Sequence, residues 1–237
     1  MRCIKLGALS VGTGLAVLLS CAAVAVAAVI TGTEAPDFLL GTPTADTIDA
    51  LGGEDSVRGL GGDDDIYGGD DDDLLIGDGS CANLGPYFCL SGDGTPGNDR
   101  IWGEAGADDI RGNGGDDRIN GGSGDDELSG KSGDDRLRGN AGFDQASGRS
   151  GDDRLRGNGG TDEINGHGGD DDVSGGRGND HIVAGDGNDR ISGGRGDDVI
   201  RARDGARDSV DCGSGRDVLI ADRRDVVAGK CEVVRRR

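Results

Sequence analysis

Residues 94–201 decide the fold, because they divide without a gap into twelve nonapeptides. In order these read GTPGNDRIW, GEAGADDIR, GNGGDDRIN, GGSGDDELS, GKSGDDRLR, GNAGFDQAS, GRSGDDRLR, GNGGTDEIN, GHGGDDDVS, GGRGNDHIV, AGDGNDRIS and GGRGDDVIR. Position 4 is always Gly and position 6 is always Asp, while position 8 is Ile, Leu or Val except at Ala146. A low-complexity acidic polymer has no reason to hold an acid and an aliphatic in phase over this length, so the period indicates a repeat fold.

Residues 32–76 contain five more nonapeptides, which read GTEAPDFLL, GTPTADTID, ALGGEDSVR, GLGGDDDIY and GGDDDDLLI. All five keep Asp at position 6 and an aliphatic side chain at position 8. Three of them lack the glycine of position 4 and carry Ala35, Thr44 or Asp71 there. We therefore expect the loops of this earlier block to form weaker ligand-binding sites than those of the later block, or none.

Each nonapeptide predicts a loop followed by a short strand. Gly, Asn and Asp in the first six positions are turn formers that tolerate positive φ, and the x-aliphatic-x triplet is a minimal strand with one inward side chain. Two repeats then form an 18-residue turn with a strand on each side. Stacked turns give two parallel sheets with their aliphatic side chains facing each other, which is an all-β parallel β-roll.

The composition argues that such a roll is not stable alone. The 237 residues include 50 Gly, only 3% are aromatic, and the net charge is −21. Two buried aliphatics per turn offset little of the entropy lost in ordering eighteen residues, and stacked loops bring Asp carboxylates close together. A divalent cation between the loops removes both problems. The acidic balance also argues against nucleic acid or an anionic membrane as partner of the whole molecule.

The nonapeptides resemble, almost letter for letter, the GGxGxDxUx repeats of the RTX (repeats-in-toxin) calcium-binding proteins. The resemblance implies a right-handed β-solenoid with 18 residues per turn, in which each Ca²⁺ lies between loops two repeats apart. Position-6 carboxylates and loop carbonyls would hold the ion, as suits a hard cation. The predicted calcium ligands are Asp55, Asp64, Asp73, Asp99, Asp108, Asp117, Asp126, Asp135, Asp144, Asp153, Asp162, Asp171, Asp180, Asp189 and Asp198.

The N-terminal segment, residues 1–28, is predicted to be a signal peptide. Arg2 and Lys5 precede an apolar stretch that ends in small residues, which favours export and cleavage. A lipoprotein modified at Cys21 and an uncleaved N-terminal membrane anchor stay open as alternatives. Export favours disulfides over a zinc site, and sequence proximity favours Cys81–Cys89 and Cys212–Cys231 among three possible connectivities.

Two further segments separate or end the repeats. Residues 77–93 are expected to form a disulfide-stapled insertion loop, with a ligand-binding insertion around Tyr87 and Phe88 as the alternative. Residues 202–237 are expected to form a degenerate C-terminal cap, in which Asp208, Asp217 and Asp225 keep an Asp-x-aliphatic rhythm. A cap of this kind protects the open edge of a solenoid.

No residue of the chain is predicted to be catalytic. His167 and His181 are expected to be solvated, and paired acids such as Asp116 and Asp117 recur too often to form a unique acid–base pair. The expected function is a secreted, non-enzymatic Ca²⁺-binding module that folds on binding several ions. The alternatives are a disordered acidic polymer that buffers calcium, and an adhesin or hydrolase that uses residues 77–93.

Position 7 points outward, and odd and even repeats belong to opposite sheets, so this position forms two ladders. One ladder is basic, and position 9 adds Arg138 and Arg156 to its face; the other has acids at three of its six places. We expect the basic face to be either ordinary surface or a docking site for an anionic polymer at the cell surface. The ladders are Arg100, Arg118, Arg136, Arg154, Asp172, Arg190 and Asp109, Glu127, Gln145, Glu163, His181, Val199.

Overall fold

The computed structural model describes residues 27–78, 96–229 and 231–236. Within these ranges the chain forms 22 β-strands and no helix. The strands belong to two parallel sheets of eleven strands each, and the chain alternates between them. The predicted fold class, an all-β parallel β-roll, is therefore confirmed.

Two of the predicted segments fall largely or wholly outside the described residues. The signal peptide has only residues 27–28 within them, and the insertion loop only residues 77–78, so the Cys81–Cys89 pairing lies outside. In the part of the chain that the structure describes, no helix is long and apolar enough to cross a membrane.

The odd-numbered strands form one sheet, called sheet A, and the even-numbered strands form sheet B. Sheet A consists of β1 (Val29–Thr33), β3 (Thr47–Leu51), β5 (Asp65–Asp70), β7 (Arg100–Ala105), β9 (Arg118–Ser123), β11 (Arg136–Ala141), β13 (Arg154–Gly159), β15 (Asp172–Arg177), β17 (Arg190–Arg195), β19 (Ser209–Ser214) and β21 (Val226–Ala228). Sheet B consists of β2 (Phe38–Leu40), β4 (Ser56–Leu60), β6 (Leu74–Asp78), β8 (Asp109–Gly114), β10 (Glu127–Ser132), β12 (Gln145–Ser150), β14 (Glu163–Gly168), β16 (His181–Asp186), β18 (Val199–Ala202), β20 (Val218–Ala221) and β22 (Val233–Arg236).

Each strand from β2 to β21 begins directly after an aspartate, so that within the repeats it starts at position 7. Strand β9, for example, starts at Arg118, buries Ile119 and runs on through Ser123. Most strands are thus six residues long and include positions 1–3 of the next repeat, which the sequence analysis assigned to the loop. The loop between consecutive strands is correspondingly shorter, because the first three positions of most repeats, including the glycine of position 1, belong to the preceding strand.

The position-8 side chains form the core, a single column between the two sheets. All seventeen of them are at most 3% exposed, and neighbours along a sheet lie in register, as Ile119 does with Leu137. Neighbouring strands of one sheet are eighteen residues apart in the chain through the regular part of the roll. The core is therefore only two side chains thick per turn, and its small apolar burial leaves the loops to decide stability.

The two blocks of repeats stack as one continuous roll. Strand β5 pairs with β7 and β6 pairs with β8, although residues 79–95 intervene in the chain. The register places Ile66 beside Ile101 and Leu75 beside Ile110. The position-8 side chains of the two blocks are therefore neighbours, and the core continues across the junction.

The roll also continues through the segment expected to be a degenerate cap. Strands β19 to β22 extend both sheets, with Val210 beside Ile191 and Leu219 beside Ile200. The step between these partners is nineteen residues instead of eighteen, because one extra residue is accommodated between β18 and β19. The predicted disulfide between Cys212 and Cys231 is present, with the Cα atoms 5.4 Å apart.

Candidate metal centre

The invariant aspartates of position 6 are buried in the folded roll. From Asp37 to Asp225 they are 0–7% exposed, which is unusual for a carboxylate. They form two ladders, one along each edge, where the chain passes from one sheet to the other. Each ladder is tied together by backbone hydrogen bonds, in which the N–H of one aspartate donates to Oδ1 of the next aspartate in the ladder. Asp99 donates to Asp117 and Asp117 to Asp135, both at 2.8 Å.

The ladders bring together all the aspartates that the sequence predicted as calcium ligands. The junction at residues 79–95 does not interrupt them, because Asp64 donates to Asp99 and Asp73 to Asp108, both at 2.8 Å. Each predicted ligand thus has a partner one turn away. Whether these residues bind calcium remains a prediction at this point.

The second carboxylate oxygen, Oδ2, has no hydrogen-bond donor at any of the predicted ligands, although it is fully buried. A buried acceptor without a donor is costly, and an ionised one more so. The charge must therefore be neutralised by a proton or by a cation. The position-6 residues with an unbonded Oδ2 are Asp55, Asp64, Asp73, Asp99, Asp108, Asp117, Asp126, Asp135, Asp144, Asp153, Asp162, Asp171, Asp180, Asp189, Asp198, Asp208 and Asp217.

The glycine at position 1 lets this oxygen lie close to its backbone, at a place that a side chain would otherwise fill. A Cβ atom placed on Gly157 would lie 2.1 Å from Oδ2 of Asp162 and 2.7 Å from the carbonyl oxygen of Gly175, in the next turn. Two acceptors, a carboxylate and a carbonyl, thus converge on one space that a side chain would fill. Carboxylate and carbonyl oxygens are the ligands that Ca²⁺ prefers, so the residues present fit this ion.

Side chains alone do not complete such a site. Among the described residues, no group of three or more His, Cys, Asp or Glu side chains is placed to hold a metal ion. The ladder brings only successive position-6 carboxylates together, one from each turn. The remaining ligands of a six- to eight-coordinate ion must therefore be backbone carbonyls or water.

Two further loop positions adopt the left-handed backbone conformation that glycine favours. Position 4 does so at Gly115, with φ of 101°. Position 2 does so even where it is not glycine, as at Asn113, Lys131 and His167, with φ of 81°, 83° and 74°. The non-glycine residues at position 2 therefore keep the loop shape, at the cost of backbone strain for a residue such as Lys131.

The buried carboxylates hold their protons more tightly than an ordinary aspartate. Burial, with the neighbouring carboxylates of Asp135 and Asp99, raises the pKa of Asp117 to about 9, against the opposing effect of the N–H bond from Asp99. Burial likewise raises the pKa of Asp64 to about 8 and that of Asp135 to about 7. Without a cation part of the ladder thus keeps its protons near neutral pH, and a cation must displace those protons to bind.

The first two repeats differ from the others at the second oxygen. Thr33 donates its backbone N–H and its hydroxyl to Oδ2 of Asp37, at 2.7 and 2.9 Å, and the N–H of Thr42 donates to Oδ2 of Asp46 at 2.5 Å. Protein donors therefore satisfy these two carboxylates. The sequence analysis expected weak sites here because of the missing position-4 glycines, and the threonines at position 2 add a second reason.

Sequence reasoning missed two residues at the other end of the roll. Asp208 and Asp217 have the same unbonded Oδ2 as the predicted ligands and accept the N–H groups of Asp189 and Asp198 at 2.9 and 3.0 Å. The sequence does contain a signal for them, because each of these two aspartates is followed by one variable residue and then by an aliphatic residue. The extra residue before Ser209 concealed it, because the nine-residue phase is lost there.

The neighbouring position 5 forms a separate, exposed ladder that runs the opposite way. The N–H of Asp134 donates to Oδ1 of Asp116 at 3.0 Å, and that of Asp152 to Oδ1 of Asp134 at 2.9 Å. These carboxylates reach forward, towards the end of the roll, to accept, whereas position-6 carboxylates reach back towards its start. Adjacent aspartates of one repeat therefore have different environments, and only position 6 is buried.

Comparison with known families agrees with this geometry. The model of the RTX calcium-binding nonapeptide repeat, which spans four copies, matches residues 31–65, 40–75, 93–128, 129–164, 147–182, 174–208 and 183–219. Together these windows cover more than half of the chain, and the last ones extend past residue 201 to include Asp208 and Asp217. A comparison with curated proteins found no significant match.

Proposed function

The chain belongs to the family of RTX calcium-binding nonapeptide repeats, and from this premise we propose that it is a secreted, non-enzymatic module that folds when several Ca²⁺ ions bind between its turns. The observation that carries the proposal is the unbonded Oδ2 of the position-6 aspartates, which faces a backbone carbonyl in repeats such as that of Asp162. A divalent cation satisfies both acceptors at once. It also cancels the repulsion between carboxylates that lie one turn apart.

Coupling between folding and binding follows from the thin core. The apolar side chains of one turn bury too little surface to order its loops, and in the unfolded chain the ligands of one site are eighteen residues apart. The binding free energy of the ions therefore becomes folding free energy, as it does in small metal-dependent domains. Each bound ion also fixes the next turn, so binding is expected to be cooperative along the roll.

A calcium titration followed by far-UV circular dichroism tests this coupling. The chain without its predicted signal peptide should be coil-like at pH 8 when divalent ions have been removed, and should gain β-structure in one cooperative step as Ca²⁺ is added. A chain that binds calcium yet stays coil-like at millimolar Ca²⁺ would instead be the disordered, calcium-buffering polymer.

Secretion is supported by the basic and then apolar N-terminal sequence, which ends in small residues. Edman sequencing of the protein recovered from culture medium tests it, and the first residue should lie near Ala28. Recovery of the chain in the membrane fraction, with a lipid on Cys21 or with residue 1 intact, would contradict secretion.

A role without catalysis is supported by the repetition of the acidic residues. Each buried aspartate has equivalents one turn away in the same hydrogen-bonded arrangement. The two histidines lie on different strands of sheet B, where His181 faces Glu163 at 3.8 Å. We propose that the folded roll instead presents its outer surfaces to a partner, an anionic polymer at the cell surface.

A further inference from the structure

Four arginines stand side by side on the outer surface of sheet A. The strand register pairs Arg100 with Arg118, Arg118 with Arg136, and Arg136 with Arg154. These position-7 residues form a first row, with neighbours about 4.8 Å apart. A second row at position 9 places Arg138 directly beside Arg156. The net charge of the chain is −21, so a surface of aligned arginines differs in sign from the molecule as a whole.

Three of these arginines form no ion pair within the part of the chain that the structure describes. Arg100 pairs with Asp65 at 3.2 Å, while Arg154 and Arg156 share Asp172 at 3.1 Å. The middle of the surface consists of Arg118, Arg136 and Arg138, which are exposed and form no ion pair with a described residue. Like charges in neighbouring strands repel each other, so this group costs stability until an anion covers it.

An aromatic pair lies at one end of the same surface. Tyr67 and Trp102 occupy neighbouring places in the second row, with ring centroids 4.7 Å apart and ring planes 3° from parallel. The next place in the row belongs to Asn120, and Arg138 follows it. One face of the Trp102 ring is covered by Tyr67. The side chain of Asn120 is short, so a flat ligand has access to the indole beside the unpaired arginines.

From this arrangement we propose that sheet A binds a linear polyuronate, an acidic polysaccharide with one carboxylate on each sugar. A guanidinium group donates two parallel hydrogen bonds to a carboxylate, and a row of them matches a row of carboxylates along a chain. A pyranose ring has an apolar C–H face that stacks on an aromatic ring. Teichoic-type polyphosphates carry the charge but have no such ring in their backbone, and the aromatic pair therefore favours the polysaccharide.

Sheet B and the loop edges favour a polyanion less than sheet A does. Position 7 of sheet B carries Asp109, Glu127 and Glu163, which repel a polyanion. The exposed position-5 carboxylates of Asp116 and Asp134 border the arginine rows and also oppose binding. Ca²⁺ in the adjacent loops lowers this negative potential. The docking proposal rests on the proposed calcium-dependent folding, since only stacked turns align the rows.

The single tryptophan of the chain, Trp102, provides the signal for the test. The secreted chain is titrated with a galacturonate hexasaccharide in calcium buffer, after far-UV circular dichroism has shown that it is folded. The fluorescence of Trp102 should change on saturation. The combined variant Arg118→Gln, Arg136→Gln and Arg138→Gln should weaken binding about tenfold, since exposed ion pairs are individually weak and three are removed.

A charge-matched control separates this surface from overall charge. The combined variant Arg201→Gln, Arg203→Gln and Arg216→Gln removes three exposed arginines that lie outside sheet A and should change the affinity by less than about twofold. A variant with lysine at 118, 136 and 138 keeps the charge but loses the paired N–H groups. It should bind more tightly than the glutamine variant and more weakly than the unchanged chain.

Three results would overturn the docking proposal. They are a folded, calcium-loaded chain that does not bind the hexasaccharide, equal loss of affinity in the control variant, and equally tight binding of a six-unit poly(glycerol phosphate). A chain that does not fold in calcium fails the circular dichroism step instead, and that result contradicts the proposed function. The two failures are therefore distinguishable.

Discussion

The backbone N–H of Asp135 donates to Oδ1 of Asp153, one turn further along the roll, at 2.8 Å, while Oδ2 of Asp153 has no donor. One carboxylate therefore has two roles. Its first oxygen fixes the spacing of successive turns, and its second is left for a proton or a cation. The motif needs Asp at position 6 because this side chain is short enough to reach the backbone of the neighbouring turn and can still supply a charged ligand.

Asp153→Asn should separate these two roles. The amide keeps an acceptor for the N–H of Asp135 but removes the charge, and burial raises the pKa of this aspartate to about 7 in the metal-free roll. We expect isothermal titration calorimetry to show one Ca²⁺ fewer and a higher calcium midpoint. The metal-free chain at pH 8 should meanwhile contain more β-structure, because one buried acid no longer ionises.

Asp152→Asn is the matched control. Asp152 is exposed and also accepts a backbone N–H, that of Asp170, at 2.8 Å. Its replacement should leave both the stoichiometry and the midpoint unchanged. If the two variants lose the same number of ions, calcium is held at the exposed ladder and the buried site is wrong.

Gly157→Ala tests the space beside Oδ2. The backbone of Gly157 is not left-handed, so any effect of the methyl group comes from its contacts with Oδ2 of Asp162 and the carbonyl of Gly175. We expect the free energy of unfolding in calcium to fall by about 1–3 kcal/mol, the usual range for overpacking, and the calcium midpoint to rise. Chemical denaturation in calcium buffer measures the first quantity.

Gly159→Ala, on the same strand, provides the comparison. A Cβ there would meet only the carbonyl oxygen of Asn140, at an ordinary 3.6 Å. This substitution should leave stability and the calcium midpoint nearly unchanged. Equal destabilisation by both alanines would show that strand β13 resists any side chain, and the effect at Gly157 would then say nothing about calcium.

Ala146→Leu should stabilise the weakest turn of the core. Ala146 lies between Leu128 and Ile164 in sheet B, and Phe143, the one bulky side chain of its loop, is 42% exposed. We expect a higher free energy of unfolding or a lower calcium midpoint, as measured by denaturation and calcium titration. Ala141→Leu, at an exposed position of the preceding strand, should have neither effect. A loss of more than about 1 kcal/mol at Ala146 would mean that the site is already full.

The metal-free roll should be most stable in acid. Burial raises the pKa values of Asp64, Asp117 and their neighbours in the folded state above the ordinary value of 3.8, so folding binds protons. This contribution is fully present below about pH 4 and is lost progressively as the pH rises towards about 9. Far-UV circular dichroism after removal of divalent ions should therefore show β-structure at pH 4 and coil at pH 9. The opposite order would contradict the buried, donor-free carboxylates.

Much of the fold and of the candidate site follows from two residues in each repeat. Ile119 and Asp117 illustrate this, since an aliphatic and an acid in fixed phase determine which side chain enters the core and which carboxylate accepts the N–H of the preceding turn. The nine-residue period alone therefore predicts the two sheets, the 18-residue turn and the two aspartate ladders.

Other features depend on distances that the sequence does not express. Asp64 meets Asp99 because the strands pair across 35 residues of chain, and Asp208 joins the ladder although one extra residue shifts its phase. The opposite directions of the position-5 and position-6 side chains also escape sequence analysis, because in many repeats both residues are Asp. Only the stacking of turns distinguishes an exposed Asp134 from a buried Asp135.

The most direct test of the central claim is anomalous diffraction from crystals grown in calcium, which locates each ion independently of any assumed chemistry. We predict ions between successive turns on both edges of the roll, with one about 2.3–2.6 Å from Oδ2 of Asp162 and from the carbonyl oxygen of Gly175. Ions found only at exposed carboxylates such as Asp152, with Oδ2 of Asp162 left without a ligand contact, would contradict it.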